Sequence, residues 1–140
     1  MQLREIMKQD VISILPSSPV IAAARKMEEH NIGCLPVIKD GALKGILTDR
    51  DIVLKGIARG SDPSVTTVAD VMQSHVITAG PDMDIPEALQ LMSTNRVRRL
   101  PIQENGRVVG IVSIMDLGHV VKEEVDNLLS LRATPVFHSG

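Results

Sequence analysis

Apolar and polar positions along the chain follow one scheme twice. A short β-branched run (residues 11–14, and again 76–78) precedes a proline-containing turn. Apolar residues then recur at i, i+3, i+4 and i+7, the spacing of an amphipathic helix; they are Val20, Ala23, Ala24 and Met27, then Ile85, Ala88, Leu89 and Met92. Two short runs follow, joined at Asp40-Gly41 and at Asn105-Gly106, dipeptides typical of tight hairpins. Since Thr48 and Ser113 then open a further helix, the predicted order is βαββα, twice.

The two schemes are copies offset by 65 residues. Residues 3–53 match residues 68–118 at twelve of 51 positions without a gap, where unrelated sequences would give roughly three. A half of about 60 residues is too small to bury the apolar faces of its helices and sheet well on its own. We therefore predict an α+β fold, sandwich-like, of two pseudo-symmetric βαββα units packed sheet to sheet. The units span residues 1–60 and 68–124, with a linker at 61–67 and a helical extension and tail at 125–140.

Composition narrows the class of protein. Hydrophobic residues make up 44% of the 140, yet there is one Phe and no Trp or Tyr, so the core is expected to be aliphatic. A net charge of −2 and the near absence of aromatics argue against binding of nucleic acid. No apolar run approaches the ~18 residues of a membrane span, and the charged start does not resemble a signal peptide. A lone Cys34 gives no sign of an oxidising compartment, so we expect a cytoplasmic protein without a membrane partner.

The repeated residues resemble a known family. The pattern consists of Leu-Pro, an Asp-Gly or Asn-Gly turn, and then Gly-Ile, a hydroxyl residue and Asp; it is written "LPVIKDGALKGILTDRD" in one copy and "LPIQENGRVVGIVSIMD" in the other. It resembles the CBS domain, and the pair resembles the tandem called a Bateman module, of the stand-alone type. The resemblance implies regulatory adenosine-containing ligands (an adenine nucleotide or S-adenosylmethionine), no required cofactor, a homodimer and an unidentified effector protein.

The resemblance also implies which residues bind the ligand. In the family, the segment from glycine to aspartate recognises ribose and phosphate, and it is matched here by Gly45, Ile46, Thr48 and Asp51 and by Gly110, Ile111, Ser113 and Asp116. Basic residues just before Leu-Pro often reach phosphates in the family. Arg98 and Arg99 hold those positions in the second copy, where the first has Gly33-Cys34.

Elementary chemistry allows two interpretations of the Thr-x-x-Asp spacing. A carboxylate can accept both ribose hydroxyls, and a hydroxyl beside the free N–H groups of a first helical turn forms an anion site. The same spacing is also that of a helix N-terminal capping box. Both interpretations stay open at this point.

The two copies differ in charge. The first motif has charged spacers, Asp49 and Arg50, whereas the second has Ile114 and Met115. A phosphate-bearing ligand is therefore expected in the cleft that combines Thr48 and Asp51 with the arginines of the other copy. An aliphatic slot must hold the base, and its candidates include Ile12, Ile77, Pro36 and Pro101.

No residues are spaced for catalysis or metal binding. Cys34 has no adjacent base in the sequence, and His30, His75, His119 and His138 lack metal-ligand spacing. We therefore expect no enzyme and no metal site. Two functions remain: a sensor of adenosine ligands, or a constitutive dimerisation scaffold with vestigial clefts. The dimer is expected to form through apolar helix faces comprising Ile52, Val53 and Ile57 or Leu117, Val120 and Val121.

Overall fold

The structure, a computed structural model, describes the backbone of residues 1–133 and the side chains of residues 1–130. After a 3-10 turn at Leu3–Glu5, the first half contains α1 (Val20–His30), β1 (Cys34–Lys39), β2 (Ala42–Thr48) and α2 (Asp49–Asp51), which continues as a π-helical segment (Ile52–Gly56) and a 3-10 turn (Ile57–Arg59). The second half contains α3 (Val68–Val71), α4 (Ile85–Asn95), β3 (Arg99–Glu104), β4 (Arg107–Ser113) and α5 (Ile114–Ala133). The end of the predicted tail lies outside the described residues.

Both hairpins form at the predicted turns. β1 pairs with β2, and β3 with β4, in the antiparallel sense and with a bulge at the same place. Asp40 and Gly41 have φ of 53° and 80°, and Asn105 and Gly106 have 56° and 76°. Positive φ at both central residues is what a tight two-residue hairpin requires.

The predicted first strands, 11–14 and 76–78, are wrong as extended strands. The first is reduced to one parallel bridge, Ile14 with Val37, and in the second half the equivalent bridge, Ala79 with Ile102, comes just after residue 78. The amide of Ile14 donates to the carbonyl of Pro36 (3.1 Å), and the amide of Ile38 donates back to the carbonyl of Ile14 (3.0 Å). Continuing the ladder toward Ile12 would need an N–H from Pro36, which proline lacks. Pro101 stops the second ladder in the same way.

The two halves exchange their leading segments. Lys8 pairs with Ile111 of β4, with N–H···O distances of 2.9 and 3.0 Å, and Gln73 pairs with Ile46 of β2 at 2.8 and 2.9 Å. Each short sheet thus gains an edge from the opposite half. Because β2 also contacts β4, the two sheets lie against each other as the duplication predicted.

The same exchange builds the two hydrophobic cores. Val68 and Val71 are buried in the core of the first half, and Leu3 is fully buried in that of the second. Burying a Leu side chain contributes about 1.5–3 kcal/mol to the free energy of folding, so each half stabilises the other. Ile52 and Leu117, expected at a dimer face, instead belong to these cores and are 7% and 0% exposed.

The segment predicted as a linker packs against the body of the protein. The amides of Val20 and Ile21 donate to the carbonyls of Thr66 and Pro63, both at 2.9 Å. These bonds satisfy N–H groups in the first turn of α1 that no intrahelical carbonyl can reach. Among the described residues, no helix is long and apolar enough to cross a bilayer.

Glycine permits the exchange at the two edge strands. A Cβ at Gly45 would lie 2.7 Å from the carbonyl oxygen of Gln73, whereas at Gly110 the nearest backbone atom, the oxygen of Lys8, would be 3.1 Å away. We expect Gly45→Ala to lower the free energy of unfolding by about 1–3 kcal/mol, the usual cost of overpacking. Gly110→Ala should cost less, and urea titration measures both.

Gly80→Ala is the matched control. A Cβ at Gly80 meets nothing within 4 Å, and its φ is not positive. This variant should leave the unfolding midpoint nearly unchanged. If Gly45→Ala were equally silent, the close backbone approach would not be a constraint on the fold.

Candidate functional site

Thr48 and Asp51 form a complete capping box at the start of α2. The Asp51 amide donates to Thr48 Oγ1 (3.1 Å), and the Thr48 amide donates to Asp51 Oδ2 (3.0 Å). Ser113 and Asp116 repeat the arrangement at the start of α5, with both distances 3.1 Å. Capping, one of the two chemical interpretations of the spacing, is therefore realised in both copies.

Asp51 is further engaged by side chains. Gln73 Nε2 lies 3.2 Å from both carboxylate oxygens, and Lys55 Nζ lies 3.3 Å from Oδ1. The residue is only 5% exposed. A buried carboxylate needs such donors, so ribose hydroxyls could reach it only after the Gln73 amide moved aside.

The second carboxylate has fewer partners. Lys8, the repeat counterpart of Gln73, lies beside Asp116, and its Nζ is 3.9 Å from Asp116 Oδ1. The Asp116 side chain is 24% exposed, against 7% for that of Asp51. The two motifs therefore share a backbone geometry but differ in how accessible the acid is.

A cavity of about 570 Å³, hereafter the first cavity, lies between the halves beside Thr48. Its volume is that of a small-molecule site. Its lining from the first half includes the start of α2, with Thr48 and Arg50. Its lining from the second half consists mainly of the segments 75–77 and 96–99. The exchange of Gln73 onto β2 brings the following residues, His75 to Ile77, directly over the motif.

The first cavity is strongly basic. Four arginines line it against one carboxylate, that of Asp49; they are Arg50, Arg96, Arg98 and Arg99. Its apolar wall is aliphatic and consists of Ile46, Val76, Ile77 and Val97. The sequence predicts one cleft that combines Thr48 and Asp51 with the arginines of the other copy; Thr48 and those arginines line this cavity, whereas Asp51 does not.

A second cavity of about 200 Å³ is the pseudo-symmetric counterpart. It combines Ser113 and Asp116 with Ile12, Ile32 and Pro36 of the first half. Its charges balance, because Lys8 and Arg99 face Asp10 and Asp116. Cys34 and Arg99, equivalent positions of the repeat, line both cavities.

Two of the candidate residues line neither cavity. Asp51 lies beneath Gln73, and Pro101 is buried within β3. Conversely, Gln73 and His75 line the first cavity although sequence reasoning assigned them no role. The repeat pairs these residues with Lys8 and Asp10, which line the second cavity. Only the exchange of segments shows why these positions face a site.

Cys34 has the properties of a core thiol. Burial raises its pKa, and the nearby charge of Arg99 only partly opposes that effect. Because the thiolate is the reactive form, a raised pKa makes the thiol inert at neutral pH. Within the described residues, no group of three or more His, Cys, Asp or Glu side chains could hold a metal ion; His138 lies outside them.

Comparison with known proteins identifies the repeat. The profile of the family described as CBS domain matches residues 3–56 and again 68–123. The chain belongs to the CBS domain family. It is 40% identical over 115 residues to the CBS domain-containing protein YhcV of Bacillus subtilis, a match covering 82% of this chain and 81% of that protein.

Solved CBS structures share the architecture. The crystal structure of hypoxic response protein I with two coordinated zinc ions has a TM-score of 0.78 at 38% identity, over 85% of this chain and 98% of that one. The CBS domain pair of protein MJ0100, in complex with 5′-methylthioadenosine and S-adenosyl-L-methionine, has a TM-score of 0.78 at 28% identity, over 89% of this chain and 98% of that one. The CBS pair is thus established by both sequence and fold.

The two aspartates should differ in their contribution to stability. Removing a capping side chain costs about 1 kcal/mol, and Asp51→Ala also leaves the Gln73 amide without its acceptor, which costs about 1 kcal/mol more. We expect the free energy of unfolding to fall by about 2 kcal/mol for Asp51→Ala and about 1 kcal/mol for Asp116→Ala. Urea titration of the two variants side by side measures the difference; equal losses would contradict the proposed roles of Gln73 and Lys55.

Proposed function

We propose that this protein is a regulatory sensor that binds an adenosine-containing anion of the AMP, ADP or ATP class in the first cavity, without catalysis. The observation that carries the proposal is the meeting of Thr48, an aliphatic slot and four arginines in one cavity between the halves. Each half supplies part of the site, so a ligand would bridge them. Ligand binding would therefore stabilise one arrangement of the halves and could be read by an effector protein.

The phosphate end of the ligand is matched by charge and by a hydroxyl group. Arginine is well suited to phosphate because its planar guanidinium donates two parallel bonds. Arg50 approaches from the first half, and Arg98 from the second. Thr48 adds a hydroxyl beside them.

The base is matched by apolar side chains and by free backbone groups. Pro101 has no N–H to donate to the carbonyl of Ile77, and neither the N–H nor the C=O of Ile77 makes a backbone hydrogen bond with any described residue. Its N–H and C=O are therefore available to the polar edge of an adenine whose faces contact Val76 and Val97. Ile12 occupies the equivalent place in the second cavity.

The second cavity suits a different charge. With Asp10 and Asp116 opposite Lys8 and Arg99, it gives a phosphate no net attraction. A sulfonium ligand of the S-adenosylmethionine type matches it better than a nucleotide does. In the MJ0100 pair, S-adenosyl-L-methionine and 5′-methylthioadenosine are the bound ligands.

A second candidate function rests on the capping boxes. Thr48 and Asp51 are satisfied within the protein, and Gln73 completes the acid. A module in which the Asp51 carboxylate already has hydrogen-bond donors from the protein could serve as a constitutive dimerisation scaffold with vestigial clefts. Such a scaffold would bind no adenosine ligand, and this separates the two functions.

Arg98→Gly tests the sensor directly, since the first copy has Gly33 at this position. Removing a charged donor to phosphate costs about 1.5–3 kcal/mol, so the Kd for ADP should rise roughly ten- to a hundredfold. Affinity for adenosine, which has no phosphate, should hardly change. Isothermal titration calorimetry at fixed salt measures both ligands.

The control variant is Arg25→Ala, which removes an exposed arginine of α1 that lines neither cavity. It should bind ADP as the wild type does. A wild type that bound neither adenine nucleotides nor S-adenosylmethionine would favour the scaffold. Equal losses in the two arginine variants would show only a general effect of net charge.

We further propose that the protein is a homodimer formed by its exposed helical faces. Val53, Leu54 and Ile57 are 51%, 45% and 61% exposed along one stretch after α2. The second half contributes a corresponding apolar face, comprising Ile114, Met115, Val121, Val125, Leu128 and Leu129. Exposed apolar side chains grouped along a helix in this way are typical of association sites.

Introducing charge into this face should dissociate the dimer. We expect Val53→Glu combined with Ile57→Glu to sediment as a monomer at concentrations where the wild type sediments as a dimer, because burying two carboxylates is unfavourable. Val65→Glu, a change at a 72% exposed residue between the halves, should remain dimeric. Sedimentation velocity decides, and a monomeric wild type would refute the dimer.

A further inference from the structure

The two long equivalent helices end in the same backbone conformation but with different residues. α1 is followed by Asn31 with φ 53°, and α4 by Arg96 with φ 54°. Both lie in the left-handed region, which asparagine tolerates well and arginine does not. The first copy therefore has the residue that local chemistry favours, and the second does not.

The backbone alone accounts for the conformation. The amide of Ile32 donates to the carbonyl of Met27 (3.0 Å), and the amide of Val97 donates to that of Met92 (3.1 Å). Such bonds end a helix when the preceding residue is left-handed. Since both turns make them equally, the arginine side chain is not needed to close the second one.

The guanidinium of Arg96 has no structural partner. It forms no salt bridge and no side-chain hydrogen bond with any described residue, and the residue is exposed. It does line the first cavity, together with Arg50 and Arg98. Asn31 lines neither cavity.

We infer that Arg96 is a phosphate-binding residue of the first cavity, kept in a strained conformation because the ligand needs its charge. The inference rests on the proposed function and adds a specificity determinant to it. A strained residue beside a cavity, without a local structural role, is the pattern expected when stability is given up for binding. A guanidinium added to those of Arg50, Arg98 and Arg99 also favours ligands with more than one phosphate, since each phosphate adds charge for it to neutralise.

Arg96→Asn, which copies Asn31, is the decisive variant because the stability of the protein should rise while its affinity for ADP falls. Relief of strain should raise the Tm by roughly 2–6 °C. Loss of the guanidinium should raise the Kd for ADP roughly tenfold or more and leave that for adenosine unchanged. Differential scanning calorimetry and isothermal titration calorimetry measure the two effects.

Two further variants sharpen the test. Arg96→Lys keeps the charge and the strained backbone, so it should retain most of the ADP affinity without the gain in Tm. Asn31→Arg places arginine in the same conformation outside the first cavity, so it should lower the Tm and leave ADP binding to the first cavity unaltered. Together they separate strain from charge.

The outcomes are distinguishable. A more stable Arg96→Asn protein that binds ADP as the wild type does would overturn the role of Arg96 and leave the sensor intact. An unchanged Tm would overturn the claim of strain. A wild type that binds no adenine nucleotide would overturn the sensor, and the role of Arg96 with it.

Discussion

The pairing of each half's leading segment with the other half's edge strand is the constraint on which the rest of the structure depends. Gln73 on Ile46 and Lys8 on Ile111 each contribute two backbone bonds, but their larger effect is positional. The residues that follow Gln73 are held over Thr48, and those that follow Lys8 are held over Ser113. A first cavity with walls from both halves exists because these segments cross. The same crossing buries Leu3 and Val68, so stability and site share one cause.

The Leu-Pro dipeptide provides a second constraint. A proline in the middle strand removes one donor from the ladder, and the strand beside it can then pair at a single residue only. The cost is a short sheet. The gain is a stretch of unpaired backbone at Ile12 and Ile77 facing a cavity. In an ordinary three-stranded sheet those groups would be occupied, and only side chains could recognise a base.

The sequence predicted much of this fold because its signals were local. The turns at Asp40-Gly41 and Asn105-Gly106 can be recognised from the hairpin sequence alone. The apolar spacing of α1 and α4 can be recognised from each helix alone. The capping interpretation of Thr48 and Asp51 was likewise available, although spacing could not decide between it and a ligand.

The remainder depended on contacts distant along the chain. The burial of Ile52 and Leu117 follows from the π-helical and helical segments packing inward, while hydrophobicity alone equally suggested an interface. That Gln73 covers Asp51 follows from the exchange of segments, which no periodicity encodes. Predicting that the first strands would not form required two signals to be considered together. One is the β-branched run itself, and the other is the proline in the strand beside it.

The duplication places one pair of equivalent residues in the lining of both cavities. Cys34 and Arg99 are equivalent positions, and both line both cavities. In a symmetric ancestor, that place would have held two identical residues, one for each site. Here one is a neutral thiol whose pKa is raised by burial, and the other is a cation. Under the proposed function, a phosphate that engaged Arg99 from the first cavity would leave the second with Lys8 as its cation against Asp10 and Asp116. Divergence at this pair of positions and at those around it thus gives two equivalent clefts linings of different charge.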